Sequence, residues 1–206
     1  MRVYYFLLFI LYYLPLSSQT IDGIWPNGEQ LKISYSIEYD ELPLKMKMFK
    51  KMLPKKSIVF YSQLGSRKEL NINTKIMGQQ ISSSTIIIEN YTDSIISIKV
   101  SAIAGDSLIE EILNHPKTQN TSKLLLGNDK KEILGYNCIS FLSDNDSTST
   151  SGFLATKING VNEYHGYGMP LEYQTVDKST NLITLIKATS ILFEPLQVDY
   201  FDIDVE

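Results

Sequence analysis

The chain has 206 residues, of which 19 are Lys or Arg, 23 are Asp or Glu and 2 are His, for a net charge of −4. An acidic balance disfavours general nucleic-acid binding. The one cysteine rules out an internal disulfide, so stability has to come from a hydrophobic core rather than from covalent staples.

The chain opens MRVYYFLLFILYYLPLSSQT. Arg2 supplies a positive start, residues 3–14 are apolar or aromatic, and Ser17 to Gln19 are small or polar, which is the layout of a secretory signal peptide. The apolar run is shorter than the roughly 20 residues a spanning helix needs. The expectation is therefore a signal peptide over 1–19 and a single domain over 20–206, exported, in the periplasm or associated with the outer envelope, and without a permanent membrane span. Without Arg2, 18 basic residues face 23 acidic ones, a balance of −5.

In LKISYSIEY, Leu31, Ile33, Tyr35, Ile37 and Tyr39 alternate with Lys32, Ser34, Ser36 and Glu38, which predicts a half-buried strand. Next comes a basic window. Lys45, Lys47, Lys50, Lys51, Lys55, Lys56, Arg67 and Lys68 occur with no acidic residue among them, while the rest of the exported chain is strongly acidic. Such a window attracts an anionic partner within a screening length of about 8 Å. Inside it, Met46, Met48, Phe49 and Met52 are interleaved with the lysines. Two readings stand side by side: an adaptable Met-rich surface for an apolar ligand beside lysines that hold its anionic group, or a short helix or loop whose methionines plug the end of a sheet while the lysines stay wet. On the first, Met46, Met48, Phe49, Met52 and, further on, Tyr136 are candidate ligand contacts, and Lys45, Lys47, Lys50 and Lys51 are candidate contacts to an anionic partner.

The segment ELNINTKI (69–76) again alternates, with Leu70, Ile72 and Ile76 inward. Segments 84–89 and 95–101 flank the turn-forming NYTD and predict a hairpin. GDSLIEEILNHP reads as a helix, because Ser107 and Glu110 have capping-box spacing, Leu108, Ile109, Ile112 and Leu113 form a stripe, and Pro116 stops it. KTQNTS and SDNDSTSTSG read as loops, the second as a mobile hairpin tip. Strands are expected near 136–142, 152–158, 171–176 and 182–192, with a short last one near 200–205. The sum is a mainly β (α+β) chain: a strongly curved antiparallel sheet or half-barrel of about ten strands with one or two lidding helices.

Catalytic signals are weak. No G-x-S-x-G or H-E-x-x-H motif occurs. Cys138 and His165 form a pair only on paper, and the bulky strand around Cys138 favours a small buried hydrophobe. Glu163, His165 and Glu172 lack metal-ligand spacing. The expectation is a chain with no catalytic residue, no metal and no cofactor. Sequons at Asn90, Asn120 and Asn145 matter only in a eukaryotic secretory pathway.

KEILGYNCISF (131–141) resembles the K-x-I-L-G-Y-x-C strand opening of a group of exported Gram-negative proteins of unknown function close to the GLPGLI family. GYGMPLEY (166–173), ITLIKATSI (183–191) and VDYFDIDVE (198–206) are similar to later pieces of that group, in the same order, as are ISYSIEY and IVFYSQLGSRKELNI earlier on. Ile139, Ser140 and Phe141 stand where the group commonly has lysines, and GFLATKI stands in place of a Trp-Tyr-Thr-like strand. The group looks like the half-barrel of the lipoprotein carrier LolA, a curved sheet around an apolar cavity. That resemblance implies a noncatalytic binder of a lipid, a lipoprotein or another amphiphile, with a structural or protein-interaction role in the cell envelope as the alternative.

Overall fold

A computed structural model describes residues 28–40, 42–47, 49–76, 79–91, 95–104, 107–116, 123–158, 164 and 166–202. The signal-peptide expectation falls on residues outside that set. Eleven strands make one antiparallel sheet: β1 (Glu29–Asp40), β2 (Lys56–Tyr61), β3 (Gly65–Ile76), β4 (Gln79–Asn90), β5 (Ile95–Ala104), β6 (Ser107–Pro116), β7 (Lys123–Ile133), β8 (Tyr136–Asp144), β9 (Thr148–Ala155), β10 (Met169–Asp177) and β11 (Ile183–Pro195). Their spatial order is β6-β5-β4-β3-β2-β1-β11-β10-β9-β8-β7. Two meanders are thus joined through the pairing of β1 with β11.

Direct physical reasoning accounts for the curvature. Laid flat at about 4.8 Å per strand, the outer strands β6 and β7 would lie nearly 50 Å apart. The six residues between Pro116 and Lys123 reach at most about 25 Å, so the sheet has to roll. It does not close. With β1 and β11 antiparallel and each meander alternating, β6 and β7 run in the same direction.

The alternation in β1 is realised: Leu31 and Ile33 are fully buried, and Tyr35 and Ile37 are nearly so. They belong to one core cluster that also takes Val59, Leu70, Ile87, Ile98, Ile133, Cys138, Leu171 and Ile186 from strands across the sheet. Tyr35 reaches past β11, and its hydroxyl donates to the carbonyl of Pro170 at 3.0 Å. Among the described residues only short helical turns accompany the sheet, and the curved sheet buries that face largely against itself.

Three expectations are corrected. Residues 107–116 form strand β6, not a lidding helix. Glu110, instead of folding back onto Ser107, accepts a hydrogen bond from Ser101 of β5 at 3.0 Å, and a ten-residue register from Ala104↔Ser107 to Ile95↔Pro116 outweighs the local helical pattern. The tract 143–152 does hold a hairpin tip, but the loop is shorter than its composition suggests: pairing runs through Asp144↔Ser149, and Asn145 closes the tight connection by accepting from the amides of Ser147 and Thr148. Where the last short strand was expected to begin, Val198–Phe201 form a 3-10 turn, and residues 203–205 of that expectation lie outside the described set.

Strand β7 was not anticipated. Leu126 pairs with Phe141 and Lys130 with Ile139, so Gly127, Asn128 and Asp129 together oppose the single residue Ser140. That wide bulge has the composition of a loop. At the next corner, Leu134 (φ 52) and Gly135 (φ 81) both have positive φ between the paired Ile133 and Tyr136, which is a two-residue turn of the I′ family. Leucine is an unfavourable choice there, and its side chain is 46% exposed, so little packing is lost on replacement. Leu134→Asn is expected to stabilise the fold by about 1 kcal/mol, read as a higher urea midpoint with an unchanged m-value.

Candidate functional site

The register that buries Leu31, Ile33, Tyr35 and Ile37 sends Ser34 and Ser36 to the opposite face of the sheet. On that face lies an open groove of about 910 Å³, near the upper end of the roughly 300–1,000 Å³ usual for ligand sites. Its floor follows from strand pairing. One row across the sheet runs Ser190, Ser34, Ile58 and Glu69, and the next contains Ser36 and Lys56. Asn71 and Asn73 continue β3 along the same face, and Thr189, the extra residue at the bulge between Ser34 and Tyr35, adds a hydroxyl.

The wall comes from the Met/Lys segment. Helix α1 (Leu44–Lys47) and a 3-10 turn (Lys50–Met52) fold over one end of the sheet. Leu42, Met46 and Leu53 pack with Leu182 beside Tyr39 in a small core of their own, and the Tyr39 hydroxyl donates to the carbonyl of Pro54 at 2.9 Å. The amide of Ile37 donates to the carbonyl of Lys55 at 2.8 Å, which ties the returning chain to β1. Lys51, Lys55 and Lys56 are thereby set along the groove with their side chains exposed. Among the described residues, no carboxylate is within ion-pair distance of any of the three. The one acidic lining residue, Glu69, is held at 2.8 Å by Arg67, so the groove is electropositive.

The candidates from the sequence fall in different places. Met46 is 6% exposed and serves as a plug. Phe49, Met52 and Tyr136 are half-buried and do not line the groove. Met48 and the side chain of Lys45 lie outside the described residues. Lys47, Lys50 and Lys51 are exposed, and of these Lys51 lines the groove. Lys55 and Lys56 were visible as members of the basic window but were not singled out. The serine, threonine and asparagine floor was missed, because on one strand at a time it reads as the ordinary wet face of a half-buried sheet.

Cys138 is 1% exposed and sits in the main core, and burial pushes its thiol up. Phe141, of opposite parity on the same strand, packs in a separate cluster with Leu154 and Tyr164, so β8 is covered on both sides. His165 and Glu163 lie outside the described residues. Glu172 bonds Lys131 and pairs with Lys187 at 3.4 Å, and Lys131 above all holds its carboxyl below the usual range. Among the described residues no group of His, Cys, Asp or Glu is arranged to hold a metal, and no helix is long and apolar enough to cross a membrane.

No family model matches the chain, and no curated protein matches it. Among solved structures, two crystal forms of PNGF-II superpose with TM-scores of 0.41 and 0.40 at 12% and 10% identity. Those alignments cover 84% and 83% of this chain but only 30% and 29% of PNGF-II. A DUF1329 family protein from Desulfovibrio piger gives a TM-score of 0.28 at 8% identity, covering 86% of this chain and 90% of its own. A domain described as an outer membrane lipoprotein-sorting protein, from Vibrio parahaemolyticus, gives 0.24 at 8% identity, covering 84% and 89%. At TM-scores this low the likenesses carry no argument about function, and the GLPGLI-like resemblance stands without a family model behind it.

The core face also takes a charge. Lys68 shares a face with Leu70 and pairs with Val59 and Ile87, and burial lowers its ammonium to about 8. Below that value Lys68 is charged in both folded and unfolded chains, and the folded state bears the desolvation cost. Between about pH 8 and 10 the unfolded chain binds more protons than the folded one, so stability rises with pH. Above about pH 10 the trend reverses, because burial holds Tyr35, Tyr61 and Tyr91 protonated in the folded state while their unfolded counterparts ionise. Lys68→Met is expected to raise stability at pH 7 by on the order of 1–3 kcal/mol and to remove the rise between pH 8 and 10, as read by urea denaturation across that range.

Proposed function

We propose that this chain is an exported, noncatalytic binding protein of the cell envelope that holds an anionic amphiphile in the groove on the outer face of β1, β2 and β3. The observation that carries the reading is the wall of Lys51, Lys55 and Lys56, unpaired among the described residues, beside a preformed concavity. Three ammonium groups facing a weakly acidic floor favour a negative ligand group by roughly 1 kcal/mol each near a surface. Ile58, with Tyr35, Leu53 and Ile72, supplies apolar surface for the remainder of the ligand. An interior largely filled by Leu31, Ile33, Leu171 and their neighbours favours this outer groove over the concave face as the place of binding.

Phosphatidylserine vesicles are the working probe. The mature chain is expected to bind them in a salt-sensitive manner, and Lys51→Glu with Lys55→Glu and Lys56→Glu to weaken binding at least about tenfold while the unfolding midpoint stays close to wild type. Equal binding by the triple variant sinks the reading and leaves the structural or protein-interaction role, for which cross-linking in envelope fractions would give a discrete protein adduct. The noncatalytic part has its own check. Alkylation of Cys138 in the native protein should be slow at neutral pH, and Cys138→Ala should lower stability without changing vesicle binding; rapid labelling would bring a nucleophilic role back.

A further inference from the structure

We infer that the groove reads the head of its ligand as a polyhydroxylated anion, an acidic saccharide, and not through an acyl chain; this rests on the groove being the binding site. The floor chemistry carries the inference. An acyl-chain site has few polar groups, whereas here Ser34, Ser36, Asn71, Asn73, Thr189 and Ser190 set hydroxyls and amides at sheet spacing among the apolar surface of Tyr35, Leu53, Ile58 and Ile72.

Those groups are poised to bond outward. The Thr189 hydroxyl donates to the carbonyl of Ser34 at 3.1 Å and the Ser36 hydroxyl to the carbonyl of Lys187 at 3.3 Å, which leaves both oxygens as acceptors. Asn73 accepts from Gln80 at 2.9 Å through its amide oxygen, which leaves its NH₂ as a donor. Ser34, Ser190 and Asn71 spend no side-chain hydrogen bond on another described residue. Ser190 and Ser34 stand opposite each other in the register, about one strand spacing of 4.8 Å apart. Donors and acceptors therefore alternate over a surface broad enough for vicinal hydroxyls, which are themselves both donor and acceptor. Ile58, opposite Ser34 on β2, offers a flat apolar patch for the C–H face of a sugar ring. The three lysines set the sign of the charge, and a carboxylate or phosphate on the ring meets it.

A soluble acidic sugar with no lipid isolates this head-group chemistry. In calorimetric titrations of the full mature chain, tetragalacturonate is expected to bind. Maltotetraose, of equal length but uncharged, should bind at least about tenfold more weakly, and palmitate should neither bind nor displace the galacturonate. Asn71→Leu with Ser190→Val, both on the outer face, should weaken galacturonate at least about tenfold while vesicle binding through the lysines falls much less. If vesicles bind in a lysine-dependent way but tetragalacturonate does not, or if palmitate competes, the saccharide inference is overturned and the amphiphile reading survives. If neither vesicles nor sugar bind, both fall. Equal affinity for the neutral and acidic sugars also overturns the inference, because the lysines would then have no part in recognition.

Discussion

Everything in this fold depends on the pairing of the first described strand with the last. β1 and β11 are aligned from Glu29↔Pro195 to Asp40↔Ile183, with partners such as Gln30 and Glu194 lying 164 positions apart. Without this ladder the chain would be two separate meanders. Leu31 and Ile33, now fully buried, would lose the cover that stabilises each by about 1.5–3 kcal/mol. Contacts of such long sequence separation also cost loop entropy before they return any energy. The assembled sheet therefore waits on the C-terminal strand, and the groove, whose floor takes Thr189 and Ser190 from β11 and Ser34 and Ser36 from β1, waits with it.

Much of the sheet was legible because alternation is a local signal. β1, β3, β4, β5, β8, β10 and β11 all read as strands, and the lone thiol of KEILGYNCISF read as a small buried hydrophobe. β6 did not, since Leu108, Ile109, Ile112 and Leu113 satisfy a helical stripe as well as an irregular strand, and the tie is broken by pairing with β5 and not by anything in the segment itself. β7 was hidden by its own bulge at Gly127–Asp129. The start of β9 was hidden by polarity: Thr150 is buried and shares a hydrogen bond of 3.2 Å with Thr175, so a tract of Ser and Thr that composition assigns to a loop forms part of a strand.

The site was legible only in its charge. The basic window pointed to an anionic partner, and three of its lysines line the groove. The floor is a property of register: Ser34 and Ser190 are remote in the chain and become neighbours through one ladder, with a bulge that brings Thr189 to the same place. The methionines drew attention for their adaptability, yet Met46 caps the small core of Leu42, Leu53 and Leu182. That plug is what holds the lysine-bearing wall in position, so the apolar and basic halves of the segment act in series, one anchoring and the other presenting.

The two outer strands of the sheet run in the same direction, so continuing the antiparallel pattern cannot zip them together, and among the described residues both outer backbone ladders are left unpaired. Such ladders are templates for edge-to-edge aggregation. β6 carries adjacent exposed carboxylates at Glu110 and Glu111, and β7 carries adjacent exposed ammonium groups at Lys130 and Lys131 next to its bulge. A second copy approaching either edge with its own like edge brings like charges together or meets a bent strand. Like-to-like pairing of the described edges is thereby opposed, whereas the acidic β6 edge of one copy and the basic β7 edge of another carry opposite charges, so the guard acts on one mode of association and not on head-to-tail contact.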